Sequence, residues 1–178
     1  MNARLLIRVG SIEDMDHEHY IRECHGLAIV AGKIGNHTFG SLLVHDDQIL
    51  LEAENTVNTD QDEMHHAEYN LVTRSRQTLP REILKQSILY TSTAPCLLCT
   101  ASIQMAGIPK IVYSVSHEAF GRLIPGEYKY IPCEEIIRRT GGKTEVVGPV
   151  LEQEGMKVFQ WWGGRFTALE EILKSTGK

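Results

Sequence analysis

Two short motifs restrict the fold of this chain more than any other feature of its sequence. The first is His66-Ala67-Glu68, and the second is Pro95-Cys96-Leu97-Leu98-Cys99. One imidazole and two thiolates are ligands that zinc accepts, and three protein ligands leave the fourth tetrahedral position open to water or substrate. A fold that uses both motifs must bring two segments, separated by residues 69–94, to one point.

The first motif lies at the N-terminus of a predicted helix. Asp60 or Asp62 can cap this helix, which ends before Pro80, so we expect His66 in its first turn. His66 and Glu68 differ by about 200° around a regular helix, but at its N-terminal end both can flank an ion that lies beyond the first turn. The apolar positions that predict this helix are Met64, Ala67, Leu71 and Val72.

The second motif follows a predicted strand over residues 87–92 and also opens a helix. Proline suits the first turn of a helix, because the N–H that it lacks has no partner there. Cys96 and Cys99 then lie in that turn, and their spacing of three places both sulfurs on one side. Two helix N-termini aimed at one point favour thiolate and hydroxide. The pattern therefore indicates a catalytic zinc site rather than a purely structural one.

Strands that alternate with helices predict an α/β domain built in layers around a mixed sheet. We expect an antiparallel hairpin and parallel later strands, because a helix joins the fourth strand to the fifth. The prediction is one domain over residues 1–178, with a catalytic core at about 16–162 and a helical extension at 163–178. The other predicted helices cover residues 16–33, 133–140 and 151–162, and a last short helix is capped by Thr167 and Glu170. The other predicted strands cover residues 39–45, 48–54, 111–115 and 144–150.

Charge, hydropathy and cysteine content exclude several broad classes of protein. The 18 basic and 23 acidic residues give a net charge of −5, so no broad positive field gathers nucleic acid. The sequence has no run near the roughly 20 apolar residues that span a bilayer and no signal peptide, so we expect a cytoplasmic protein with no membrane partner. Cys24 is predicted to pack in the core, whereas Cys133 and His117 form a weak candidate for a second metal pair.

The two motifs together carry a family resemblance, because His-x-Glu followed by Pro-Cys-x-x-Cys is the signature of zinc-dependent nucleobase deaminases. The chain resembles the cytidine and deoxycytidylate deaminase superfamily, and within it the branch of guanine deaminase, cytosine deaminase and tRNA adenosine deaminase. The similarity extends from about Tyr20 to Trp162 and includes Thr38-Phe39-Gly40, Asn55 and residues 106–113. It implies a three-layer α/β/α sandwich around a mixed five-stranded sheet.

The resemblance also implies a role for each residue of the two motifs. His66, Cys96 and Cys99 correspond to the ligands of one zinc ion per chain, and Glu68 corresponds to the proton shuttle. In the implied reaction, zinc-bound hydroxide attacks the amino-bearing carbon, Glu68 transfers the proton to the ring, and ammonia leaves. The implied substrate contacts come from Asn55, the backbone N–H of Ala67, and Phe39.

The chain departs from the family pattern around the substrate. Ala94 replaces a Glu that the tRNA enzymes and many guanine deaminases carry before the Pro-Cys pair. Residues 120–130 form a longer segment than we expect in a tRNA deaminase, at the place where relatives shape the mouth of the pocket. Related enzymes close the pocket with a C-terminal aromatic residue, so Trp161 or Trp162 is a candidate to stack on the bound base, and Phe120 is a weaker one.

These observations predict a cytoplasmic, zinc-dependent hydrolase that deaminates a free nucleobase or nucleoside with a guanine-, cytosine- or isocytosine-like ring, as in nucleobase salvage. The acidic balance and the extended segment count against the first alternative, a tRNA-specific adenosine deaminase. Glu68 counts against the second, a non-catalytic relative that acts as a structural or interaction module, because a structural site does not need this carboxylate. The resemblance further implies a homodimer.

Overall fold

The computed structural model describes residues 16–124 and 128–162 of the chain and contains five strands in one sheet. The strands are β1 (Gly40–His45), β2 (Gln48–Glu54), β3 (Ile88–Thr93), β4 (Lys110–Val115) and β5 (Glu145–Val147). The helices are α1 (His17–Lys33), α2 (Val57–Asp60), α3 (Ala67–Thr78), α4 (Arg81–Leu84), α5 (Leu97–Ala106), α6 (His117–Gly121), α7 (Cys133–Arg139) and α8 (Glu152–Met156), followed by a 3-10 helix over Lys157–Trp161.

The sheet is mixed, as predicted. Its strand order is β2-β1-β3-β4-β5; β1 is antiparallel to both β2 and β3, whereas β3, β4 and β5 are parallel to one another. Helices α5 and α7 lie in the crossovers that the parallel pairs require. Because of these directions, the start of β1 and the ends of β2, β3 and β4 meet at one edge of the sheet.

Alternation along the central strands divides the core into two apolar layers. Leu43 and Leu89 pack with α3, α5 and α7, whereas Leu42 and Tyr90 pack with α1 on the opposite face. This arrangement confirms the three-layer α/β/α sandwich, and it places Cys24 in the core as predicted. Helix residues in the first layer are Leu71, Val72, Ile103 and Ile137, and those in the second are Tyr20, Ile21 and Cys24.

Local sequence signals explain where several elements begin and end. The Asp16 side chain accepts a hydrogen bond from the His19 N–H and caps α1. Asp46 and Asp47 have φ values of 48° and 58°, the left-handed pair that a tight hairpin turn between β1 and β2 requires. Gly107, at φ 80°, ends α5 in the same left-handed region, where glycine has no steric cost.

The C-terminal part of the fold is less regular than predicted. The strand predicted over 144–150 covers only Glu145–Val147, and Pro149 has no N–H to contribute to a ladder beyond it. The helix predicted over 151–162 is divided in two. Leu151, at φ 55°, precedes the short helix α8, and the chain continues as a 3-10 helix, the tighter form that is frequent at helix ends.

Two further predictions concern the C-terminal extension and membrane-spanning helices. The proposed extension over 163–178, with Thr167 and Glu170, lies outside the described residues. In the two described segments, none of the helices has both the length and the apolar character needed to cross a membrane.

A buried histidine connects α1 to β4. His25 is 5% exposed, and its Nε2 lies 2.8 Å from Ser114 Oγ. Burial lowers the pKa of His25 to about 4, because the interior penalises the charged imidazolium. The folded-state pKa therefore lies below the unfolded value near 6.5. The neutral His25 ring therefore makes its full contribution to the free energy of unfolding above about pH 6.5, and this contribution is lost as the pH falls towards 4.

We expect His25 to account for a loss of about 2 kcal/mol in the free energy of unfolding between pH 7 and pH 5. His25→Gln keeps a polar partner for Ser114 but cannot titrate, so it should remove this part of the pH dependence. Urea unfolding of both proteins in excess chelator, at the two pH values, measures the difference. His19→Gln, at an exposed position of α1, is the control. Identical pH dependence in wild type and His25→Gln would show that the buried ring is not responsible.

Candidate active site

The two metal motifs bring their side chains together at helix N-termini. His66 is the N-cap residue of α3, Cys96 is the N-cap residue of α5, and Cys99 lies in the first turn of α5. His66 Nδ1 lies 3.6 Å from each of the two sulfurs. Zinc bonds of about 2.0 Å to nitrogen and 2.3 Å to sulfur at tetrahedral angles require an N···S separation of about 3.5 Å.

The chemistry of this donor set fits one zinc ion. One ligand atom from each of His66, Cys96 and Cys99 lies within 4.8 Å of the other two. Across residues 16–124 and 128–162, this is the only cluster of three or more His, Cys, Asp or Glu residues with that geometry. The predicted zinc ligands are therefore placed to bind a metal, and the pair of Cys133 and His117 belongs to no such cluster in the described part of the chain.

The helix that carries the first motif begins later than predicted. Because α3 starts at Ala67, His66 is its N-cap rather than a first-turn residue. The prediction that Asp60 or Asp62 caps this helix is wrong. Asp60 belongs to the separate helix α2 and pairs with His65 at 2.8 Å, and Asp62 accepts a hydrogen bond from a backbone N–H before α3 begins. His65 is a partly exposed surface residue.

The two cysteines differ in their affinity for a proton. A hydrogen bond from the Cys99 thiol lowers the pKa of Cys96 to about 4, and a hydrogen bond from His66 acts in the same direction. The proton shared with Cys96, together with burial, raises the pKa of Cys99. The cluster therefore favours the thiolate of Cys96 over that of Cys99. A bound cation favours deprotonation of both, because its positive charge stabilises a coordinated thiolate.

Glu68 is buried beside the metal ligands and is held by a chain of hydroxyl groups. Thr91 Oγ1 donates to Glu68 Oε1 at 3.0 Å, and Ser41 Oγ donates to Thr91 Oγ1 at 2.9 Å. Cys99 Sγ lies 3.5 Å from Glu68 Oε2. Burial raises the pKa of Glu68, with a further contribution from the negative charge of Cys96. A fixed carboxyl whose pKa is shifted towards neutrality suits a group that must both accept and donate a proton.

A cavity of about 220 Å³ opens above this cluster. Its walls include His66, Cys96 and Glu68, together with the aromatic rings of Phe39, Phe120, Tyr128 and Trp162. A wider groove of about 470 Å³ lies between β2 and α3, and none of the zinc ligands lines it. The small cavity therefore combines the metal ligands and the carboxyl group with aromatic surfaces on which a flat ring can stack.

Comparison with known proteins identifies the family. A model of the cytidine and deoxycytidylate deaminase zinc-binding region matches residues 14–115. The chain belongs to this family. A protein of Schizosaccharomyces pombe named "Probable cytosine deaminase" is 34% identical over 82% of this chain and 93% of its own length. Guanine deaminase of Bacillus subtilis is 33% identical over 58% of this chain and 67% of its own length.

A solved structure supports the same fold. Guanine deaminase from Nitrosomonas europaea has a TM-score of 0.66 at 14% identity, over 88% of this chain and 84% of that one. Proteins named tRNA-specific adenosine deaminase also match the sequence. The resemblance predicted from the two motifs is thus confirmed, and the chain is a zinc-dependent hydrolytic deaminase that acts on C–N bonds.

Two of the predicted substrate contacts of this deaminase are buried. Asn55 follows β2, and its Oδ1 accepts the Val57 N–H at 3.2 Å. Its Nδ2 is buried and has no hydrogen-bond partner among the described residues, and Asn55 itself does not line the cavity. Ala67 is fully buried at the first position of α3, where backbone N–H groups have no partner within the helix.

The aromatic residues predicted to contact the substrate of the deaminase differ in their position relative to the cavity. Phe39, Phe120 and Trp162 line the cavity, and the Phe120 and Trp162 rings are nearly parallel at 18° with centroids 6.3 Å apart. Trp161 does not line the cavity. The residue is 39% exposed, and its ring lies under the Lys33 ammonium group, which is 4.6 Å from the ring centroid. Of the two adjacent tryptophans, only Trp162 lines the cavity.

Sequence reasoning missed two polar residues on the cavity wall of the deaminase. Thr93, the last residue of β3, has a buried hydroxyl group without a partner in the described part of the chain. Tyr128 also lines the cavity, beside His117. The length of the segment 120–130 indicated that the mouth of the pocket differs from that of a tRNA deaminase, but the sequence did not single out Tyr128.

Proposed function

We propose that this deaminase acts on a free nucleobase with a single ring of the cytosine or isocytosine type. The observation that carries the proposal is the small aromatic cavity above Glu68 and the zinc ligands. Its volume of about 220 Å³ is below the range of roughly 300–1,000 Å³ typical of sites for larger ligands. The match to the Schizosaccharomyces pombe protein, which extends over 93% of that protein, supports the same substrate class.

In this proposal, His66, Cys96 and Cys99 would hold the zinc ion, and the chemistry that it would supply is acidification of water. The Glu68 carboxylate accepts a proton from the attacking water and donates it to the ring nitrogen beside the amino-bearing carbon. The same carboxyl then moves the second proton of that water to the amino group, so ammonia leaves and a carbonyl remains. The hydrogen bond from Thr91 keeps Oε1 in place, so the other carboxyl oxygen is the better group for the transfer.

Donors near the cavity are proposed to recognise the base. The unpaired Asn55 Nδ2 and the Ala67 N–H donate to acceptors on the ring, such as a carbonyl oxygen. Phe39 and Phe120 meet edge to face with centroids 5.7 Å apart and form an apolar wall for the ring. Buried polar groups left unpaired by a poorly matched base carry a free-energy cost, so these donors contribute to selectivity as well as affinity.

Trp162 is proposed to stack on the bound base. Trp162→Ala should lower kcat/KM about 10- to 100-fold, because a base stacked on an aromatic side chain contributes roughly 1–3 kcal/mol. Trp161→Ala is the matched control, because it removes the same side chain from the neighbouring, exposed position. Steady-state kinetics of both variants measures the difference. Unchanged kcat/KM in both variants would reject stacking by either tryptophan.

A deamination screen tests the proposed function. Ammonia release is measured for cytosine, isocytosine, guanine and adenine, for their nucleosides, and for a tRNA stem-loop. We expect turnover of a single-ring free base. Activity only on the tRNA stem-loop would overturn the proposal in favour of a tRNA-specific enzyme. Absence of turnover on every substrate, with zinc bound, would indicate a non-catalytic role.

A further inference from the structure

A hydrogen-bonded chain connects the second metal motif to Tyr128 on the wall of the cavity. His117 Nε2 lies 3.1 Å from the Pro95 carbonyl oxygen, and His117 Nδ1 lies 3.4 Å from the Tyr128 hydroxyl oxygen. His117 is 6% exposed, and both His117 and Tyr128 line the cavity. Neither contact involves a zinc ligand or Glu68, so the chain is separate from the groups that carry out the reaction.

The direction of these hydrogen bonds follows from their partners. The Pro95 carbonyl oxygen can only accept, so His117 Nε2 must carry a proton. A buried imidazole whose hydrogen-bond partners are a carbonyl and a phenol stays neutral, and burial does lower the pKa of His117. His117 Nδ1 is therefore an acceptor, and Tyr128 must donate its hydroxyl proton to it. The Tyr128 oxygen is left with lone pairs that can only accept.

Neighbouring rings fix the position of Tyr128. Its ring stacks on Tyr130 at 5.7 Å and 24°, and it meets Phe120 edge to face at 5.6 Å and 85°. Tyr130 in turn stacks on His117 at 5.0 Å and 22°. Burial also raises the pKa of Tyr128, so the phenol is protonated at neutral pH. The cavity wall thus presents a preorganised acceptor, whereas Asn55 Nδ2 and the Ala67 N–H are donors.

We propose that Tyr128, oriented by His117, is a specificity residue whose hydroxyl oxygen accepts a hydrogen bond from the ring N–H at which a nucleoside would carry its sugar. This inference rests on the proposed function. In a pyrimidine attacked at C4, this N–H is N1–H, directly across the ring from the reacting carbon. A free base has this donor and a nucleoside lacks it. Tyr128 therefore selects free bases by the hydrogen bond itself, in addition to the limit set by cavity size.

The test compares a free base with its N-methyl derivative in wild type and Tyr128→Phe, both loaded with zinc. The substrate pair is cytosine with 1-methylcytosine. Wild type should prefer the unmethylated base about 10- to 100-fold in kcat/KM, because methylation leaves the buried acceptor unpaired and adds bulk. In Tyr128→Phe the unmethylated base should lose most of that advantage, mainly through a higher KM. Tyr130→Phe, which keeps the stacked ring, should retain the wild-type preference.

The outcomes separate this inference from the proposed function. Coupling between the Tyr128→Phe substitution and substrate methylation supports a direct hydrogen bond, because a merely structural role would affect both members of a pair equally. Equal preference in wild type and Tyr128→Phe, with the free base still turned over, overturns the role of Tyr128 and leaves the proposed function intact. No turnover of any free base by the wild type overturns both.

Discussion

Replacing Glu68 with Gln is expected to lower kcat at least about 10³-fold while about one zinc ion per chain stays bound. Proton transfer by one positioned group typically contributes 10²- to 10⁴-fold, and in the proposed mechanism Glu68 makes two transfers. The amide has nearly the same shape and can still accept the hydrogen bond from Thr91. The substitution therefore removes the proton shuttle with little change in packing.

The measurement pairs steady-state ammonia release with zinc analysis of the same sample. Glu63→Gln is the matched control, because it makes the same change at an exposed position five residues away. We expect wild-type kcat from the control. If Glu68→Gln lost both its activity and its bound zinc, Glu68 would have a role in metal binding. A kcat near that of the wild type in Glu68→Gln would exclude Glu68 as the proton shuttle.

The central sheet and the zinc ligands were predictable from the sequence, because their signals are local. Residues 39–54 contain two short strand-like runs around Asp46 and Asp47, and the observed strands differ from the predicted ones by a single residue at the start of β1. The ligand types and their spacing indicated zinc without any tertiary information. The start of α3 was predicted incorrectly, because the carboxylates of Asp60 and Asp62 find partners outside that helix.

The substrate side of the site depends on tertiary contacts that local patterns do not specify. Trp161 and Trp162 are equivalent in composition, and only the turn of the 3-10 helix decides which of them lies in the cavity. No sequence pattern relates Tyr128 and His117 to the two metal motifs. Their hydrogen bonds to each other and to Pro95 form only when α6 packs beside the end of β3. The homodimer and the cytoplasmic location stay predictions, since the fold of one chain tests neither.

The second large effect is expected from removal of a zinc ligand. Cys99→Ala should weaken zinc binding on the order of 10³-fold and abolish turnover. Zinc bound by a small cysteine and histidine site is stabilised by about 10–16 kcal/mol, so one of three protein ligands contributes roughly 4 kcal/mol, and each 1.4 kcal/mol corresponds to a tenfold change. Competition with a chromogenic chelator measures the affinity, and ammonia release measures activity.

Cys133→Ala is the control for this experiment, because Cys133 is also buried but belongs to no metal cluster in the described part of the chain. It should keep zinc and activity, apart from a modest loss of stability from the small cavity left by the sulfur. Thermal unfolding adds an independent reading: excess chelator should lower the Tm of wild type and Cys133→Ala but not that of Cys99→Ala, because a ligand stabilises only the folded protein that binds it. If Cys99→Ala retained tight zinc and the chelator-sensitive Tm, His66 and Cys96 would suffice for the metal, and the three-ligand site inferred from the 3.6 Å contacts would be wrong.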